Sequence, residues 1–239
     1  MSELFNVSIN IHSLKESNIE IRDCFNELYR SAKLVKKLTR REHTWYLTGY
    51  SKKEALKYAV FNGDEPSQNA IDIFERHYKK NSPLINESIW NGQADGIACS
   101  ISHFMKFIDN PKKSNIIIDI DQQVSHTSDM IDSLSLLAKG ESRRWIKVDS
   151  KGYWRKDRNV FPDRVYVGWM LYIPHLVLPE LIPEAAKIVP VIENEHQKGT
   201  IIVSTEEIFD GNNKEHIGKA NDIEIRLLDL GLLPLMTEL

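Results

Sequence analysis

Apolar and polar residues alternate from the start of the chain. In "FNVSINIH", Phe5, Val7, Ile9 and Ile11 fall on one face and Asn6, Ser8, Asn10 and His12 on the other, the period-two pattern of a half-buried strand. The period then changes. In "SNIEIRDCFNELYRSAKLVKKL", Ile21, Cys24, Leu28, Ala32 and Val35 recur at helical spacing, and the basic C-terminal end suits the helix dipole. "TWYLTGYSKKEALKYAVF" predicts a short strand and then a helix capped by Ser51, with Glu54 three residues on in the spacing of a capping box. "NGDEPS" after Phe61 predicts a turn, and "QNAIDIFERHYKK" another helix.

"ESIWNGQADGIACSISHFM" predicts two strands around a Gly-containing turn, "NIIIDID" a further strand, and "SDMIDSLSLLAKG" a helix stopped by Gly140. "RRWIKVDS" and "RVYVGWMLYIP" predict strands joined by the polar loop "KGYWRKDRNVFPD"; the second is apolar on both faces, as a central strand is. "LVLPELIPEAAKIVP" predicts a helix from near Pro183 that ends before Pro190, and "GTIIVST" a last strand. The final helix runs through "NKEHIGKANDIEIRLLDLG". Its apolar stripe is Ile217, Ala220, Ile223, Leu227 and Leu230, its N-cap is Asn212 or Asn213, and Gly231 with Pro234 closes it.

Strand pairs joined by short turns predict an α+β fold, with a mixed, largely antiparallel sheet and helices packed mainly on one side. One domain over 1–239 is expected, with "AKGES" near Gly140 the only candidate seam between two structural halves. Hydrophobic residues at 41% and charged residues at 27% fit a soluble globular chain. A net charge of −3 argues against broad nucleic-acid binding, which draws most of its affinity from cationic surface. Cys24 and Cys99 are the only cysteines, in no ligand spacing, so paired-cysteine zinc sites are excluded and buried free thiols expected. No window is long and apolar enough to span a bilayer, and with no signal-like N-terminus the expected location is cytoplasmic.

The acids in "NIIIDIDQQ" are the sharpest chemical candidates. Asp119 and Asp121 lie two residues apart at a strand end, so their carboxylates share a side and could together hold Mg²⁺. A metal enzyme needs further ligands, and no linked motif supplies them; aspartates that mark a strand's exit into water account for the pattern as well. There is no HExxH, P-loop, GxGxxG or GxSxG. "EIFDGNN" is better read as a turn than as a metal loop. No cofactor and no catalytic residue is assigned. Trp45 and Trp169 lie in apolar strands and read as core. Tyr153 and Trp154, with Arg155 and Asp157 in the polar loop, have the composition of a protein-binding hot spot or of a stacking site for single strands. A loop whose Trp folds back onto the core fits equally.

"EEIFDGNNKEHIGKANDIEIRLLDLGLLPL", residues 206–235, resembles the immunity protein 52 family of bacterial polymorphic toxin systems, and "WYLTGYSKKEAL" at residues 45–56 supports the match. The resemblance implies an α/β-type immunity protein whose partner is the C-terminal domain of a nuclease toxin of the restriction-endonuclease fold, commonly a type VI secretion effector. It implies a cytoplasmic inhibitor that touches neither nucleic acid nor membrane itself. A basic nuclease groove is met by acids, so Asp119 and Asp121, or Asp64 and Glu65 in their turn, become partner-binding candidates beside Tyr153, Trp154 and Asp157. Two alternatives stand beside this one: a metal-dependent enzyme using Asp119 and Asp121, and an adaptor or chaperone of a secreted effector.

Overall fold

A computed structural model describes residues 6–15, 20–48, 52–106, 112–122, 124, 126–140 and 144–239. Phe5, the Ser51 cap, and Glu141 and Ser142 of the seam lie outside the described residues. In chain order the elements are β1 (Val7–Lys15), α1 (Ile21–Thr39), β2 (Tyr46–Leu47), α2 (Lys52–Ala55), β3 (Phe61–Asn62), β4 (Glu65–Pro66), α3 (Gln68–Asn81), β5 (Leu84–Trp90), β6 (Cys99–Lys106) and β7 (Lys112–Ile120). Then come α4 (Thr127–Ala138), β8 (Trp145–Ser150), β9 (Met170–Ile173), β10 (Lys187–Glu193), β11 (His196–Val203) and α5 (Lys214–Asp229).

Nine strands form one sheet in the order β10-β11-β9-β8-β1-β7-β6-β5-β2, antiparallel at each pairing; β3 and β4 form a separate hairpin at the "NGDEPS" turn. β1 sits between β7 and β8, so the sheet runs unbroken past the Gly140 stretch. Val7, Ile9 and Ile11 point to one face and are buried there with Cys24, Leu28 and Val35 of α1 and Met130 and Leu134 of α4. Each such aliphatic side chain contributes about 1.5–3 kcal/mol when fully buried. His103 of β6 joins this layer, its Nδ1 3.0 Å from Cys24 Sγ and its Nε2 2.9 Å from Ser114 Oγ.

The fold is α+β, with α1, α3 and α4 on one side of the sheet and α5 on the other. Alternation along β9 makes the division: Met170 and Tyr172 join the core under α1 and α4, whereas Leu171 and Ile173 pack with Ile223 and Leu227 of α5. Both faces of β9 are therefore buried, as its sequence predicts. Asn213 caps α5, its side chain accepting from Glu215 N. Trp45 and Trp169 are core, and both cysteines are buried free thiols.

The helix expected between Pro183 and Pro190 is not formed. Pro179–Leu181 makes a single 3-10 turn, and Lys187–Glu193 is the edge strand β10. Pro190 suits an edge, where a missing N–H breaks no ladder on the open side. Asn194 and Glu195, both at positive φ (49° and 65°), turn this strand tightly into β11.

Candidate protein-binding site and its buried support

On the sheet face away from α1, the register brings polar groups into line. Ser8 of β1 pairs with Asp119 of β7 on one side and with Asp149 of β8 on the other. The next row along contains Ile117, Asn10 and Lys147. The chain after β8 reverses through Lys151 and Gly152, both at positive φ, and folds back over this face. Asp149 fixes the reversal, its carboxylate accepting from Tyr153 N (3.0 Å) and Trp154 N (3.2 Å). The resulting 3-10 turn, Trp154–Lys156, brings the Arg155 guanidinium within 3.9 Å of Asp119. Trp154 stacks on Tyr166 with ring centroids 5.9 Å apart, and Lys147 Nζ lies 4.7 Å from the centroid of the same Tyr166 ring.

Closure perturbs the titratable groups. Burial pushes the Asp149 carboxyl up to about 6, against its backbone hydrogen bonds and Arg155. Burial likewise draws Lys147 down to about 7, with Asp149 opposing. Asp119 is raised by burial, against the Ser8 hydroxyl and Arg155. Such a cluster would mark an active site in an open cleft. Here Lys147, Asp149 and Tyr166 are each under 5% exposed, so no substrate reaches them in this conformation. Their work is mechanical: they hold the 151–169 loop against the sheet.

α5 supplies the other half of the clamp. Glu224, fully buried, accepts from the Tyr153 hydroxyl (2.9 Å), Val160 N (2.8 Å) and Val167 N (2.9 Å). Glu224 was not legible as a functional residue, because a Glu one place past Ile223 looks like any solvated helix position.

The predicted partner-binding residues divide. Tyr153 is corrected: it is 0% exposed, its ring packed on Phe209 and its hydroxyl bonded to Glu224, so it supports the loop from beneath. Asp119 is also corrected from a water-facing strand end to a buried strand residue beside Arg155. Asp121 follows β7 and accepts from Gly96 N, which ties down the β5–β6 turn. Asp119 Oδ1 is buried without a hydrogen-bond partner, and among the described residues no group of three or more His, Cys, Asp and Glu is placed to hold a metal. Trp154, 43% exposed, and Asp157 share the loop surface. Asp64 and Glu65 stand apart on the β3–β4 hairpin by α1, where Asp64 accepts from the Tyr29 hydroxyl and Glu65 pairs with Arg22 at 3.3 Å. The seven candidates therefore do not form one patch.

A sheet whose buried charges fasten an exposed loop presents that loop as a rigid surface, a feature of the class of proteins that bind others. The comparisons make that class specific. Residues 18–236 match the family of immunity protein 52, and the chain belongs to it. Its fold is similar to that of the Pseudomonas aeruginosa T6SS protein PA0821, with a TM-score of 0.56 and 10% identity over 94% of this chain and 76% of that one. At that identity the likeness concerns the fold. No curated protein matches in sequence. The chain is thus of immunity type, with a toxin as the partner its family implies. Among the described residues no helix is long and apolar enough to cross a membrane.

Proposed function

We propose that this chain, acting as one domain in the cytoplasm, neutralises a cognate DNA-cutting toxin of a type VI secretion system by binding the toxin's C-terminal catalytic domain. Family membership across residues 18–236 carries the reading. The similar fold of PA0821, a T6SS protein, is consistent with the delivery route. Net charge adds to it: a DNA-cleaving domain presents a cationic groove, and a chain of net charge −3 can be steered to such a groove and compete with DNA for it. Inhibition is by occupancy, with no chemical step and no cofactor. Trp154 and Asp157 on the clamped loop are the proposed contacts from the sequence-derived set, since both are exposed on a rigid support.

Co-expression tests the reading. Cells producing the catalytic domain encoded beside this chain's gene should stop growing and fragment their DNA. Production of this chain in the same cells should restore growth and intact DNA. Killing that persists although the two proteins co-purify would instead make the chain an adaptor.

A further inference from the structure

The 174–186 loop, between β9 and β10, turns two side chains inward and three outward. Val177 and Ile182 are buried against Ile223 and Leu227 of α5. Leu176 and Leu178 are each 66% exposed and Leu181 43%, all within six residues. Single exposed leucines are ordinary, but three on one short loop form an apolar patch that a free surface seldom carries. The loop is stiff. Val177 N donates to Thr200 Oγ1 (3.1 Å), Thr200 Oγ1 donates to His175 O (2.8 Å), and Pro174, Pro179 and Pro183 restrict the backbone.

α5 continues this surface. Glu184 at the end of the loop pairs with Arg226 at 2.9 Å, which fixes loop and helix side by side. Asp222, Ile225 and Asp229 recur at helical spacing along the outward side of α5, and Ile225 is 46% exposed. Charge is concentrated here too. Residues 176–230 hold eleven Asp and Glu, one of them the buried Glu224, against five Lys and Arg, a net charge of −6 for the segment in a chain whose total is −3. The remainder of the chain is consequently net positive. The exposed acids Glu180, Asp222 and Asp229 favour a cationic partner at the loop and α5.

We propose that the leucine loop and the outward face of α5 form the main docking surface for the toxin's cationic catalytic domain. Leu176, Leu178, Leu181 and Ile225 supply the dry contact, and Glu180, Asp222 and Asp229 the acidic rim. Rigid apolar side chains inside a charged border are the anatomy of a specific interface, and pre-ordering lowers the cost of association. The proposal rests on the toxin-binding reading above and adds the place and chemistry of contact.

The test is a binding titration of the purified full chain with the catalytically inactivated domain of the toxin encoded beside its gene. Leu178→Asp/Leu181→Asp should weaken affinity about 100-fold or more, as loss of a central apolar contact does. Its Tm should stay within about 3 °C of the unaltered chain, because both side chains are largely outside the core. Asp222→Lys/Asp229→Lys should slow association about tenfold at low salt, with the gap closing as salt rises. Leu178→Cys carrying a bulky maleimide should lose binding while the uncoupled variant retains it; Cys24 and Cys99, at 0% and 1% exposure, stay unlabelled in the native fold. Unchanged affinity in the leucine and labelled variants would overturn the surface and leave the toxin reading standing. A wild-type chain that does not bind the toxin would overturn both.

Discussion

His103 shows how much a single buried side chain can couple. It is 0% exposed and bridges Cys24 of α1 to Ser114 of β7, so it must be neutral to fit. Burial draws its pKa from 6.5 to about 4, with Glu27 opposing. The unfolded chain therefore binds the proton first as pH falls, and stability present above pH 6.5 is lost progressively toward pH 4. A shift of this size corresponds to about 3 kcal/mol. His12, drawn down to about 3 by burial and by Lys147 and Lys113, acts in the same direction. Asp149 acts in the opposite one between its ordinary value and about 6. Denaturant unfolding across pH 4–7 should show a shallower acid loss for His103→Gln than for the unaltered chain; equal slopes would mean the ring is not held neutral. Alternation along "ACSISHF" made a strand legible, but His103 there takes an inward position. Nothing local says that a thiol and a hydroxyl wait for it on other elements.

Among elements, α5 and the 151–169 loop were read unequally. The helix, its apolar stripe, a cap at Asn212 or Asn213 and a stop at Gly231 with Pro234 follow from spacing and end chemistry; the structure uses Asn213, and Leu230 at the C-cap is 36% exposed. The loop was legible only as polar. Its turn depends on Asp149 and Glu224, which are 75 residues apart in sequence and cannot be paired from spacing. Glu224→Ala would leave Val160 N and Val167 N without their acceptor. It should cost about 2–4 kcal/mol and speed amide exchange across the loop more than across α4. Exchange unchanged in the loop would deny Glu224 its anchoring role. The segment before β10 was misread for a related reason. Prolines at 183 and 190 fit a helix of the right length, whereas the hairpin that captures Lys187–Glu193 is set by its pairing with β11.

At the scale of the molecule, the α+β class and most strands could be read from periodicity, because each strand's alternation is local. The strand order could not. β1 enters between β7 and β8, more than 90 residues downstream, and only packing decides that. The same order aligns Asp119, Ser8 and Asp149, and turns one of a suspected pair of surface acids, Asp119, into a buried neighbour of Arg155. Charge is legible both as a total of −3 and as the net −6 of residues 176–230, but not which of those acids stay at the surface: Glu224 among them is buried. Direct neutralisation of a nuclease is the central claim, and one measurement addresses it. DNA degradation by the catalytic domain of the proposed cognate toxin should fall linearly as this chain is added and vanish at one equivalent, with recovery when the complex is competed apart. Full cleavage in the presence of a several-fold excess of the folded chain would contradict it.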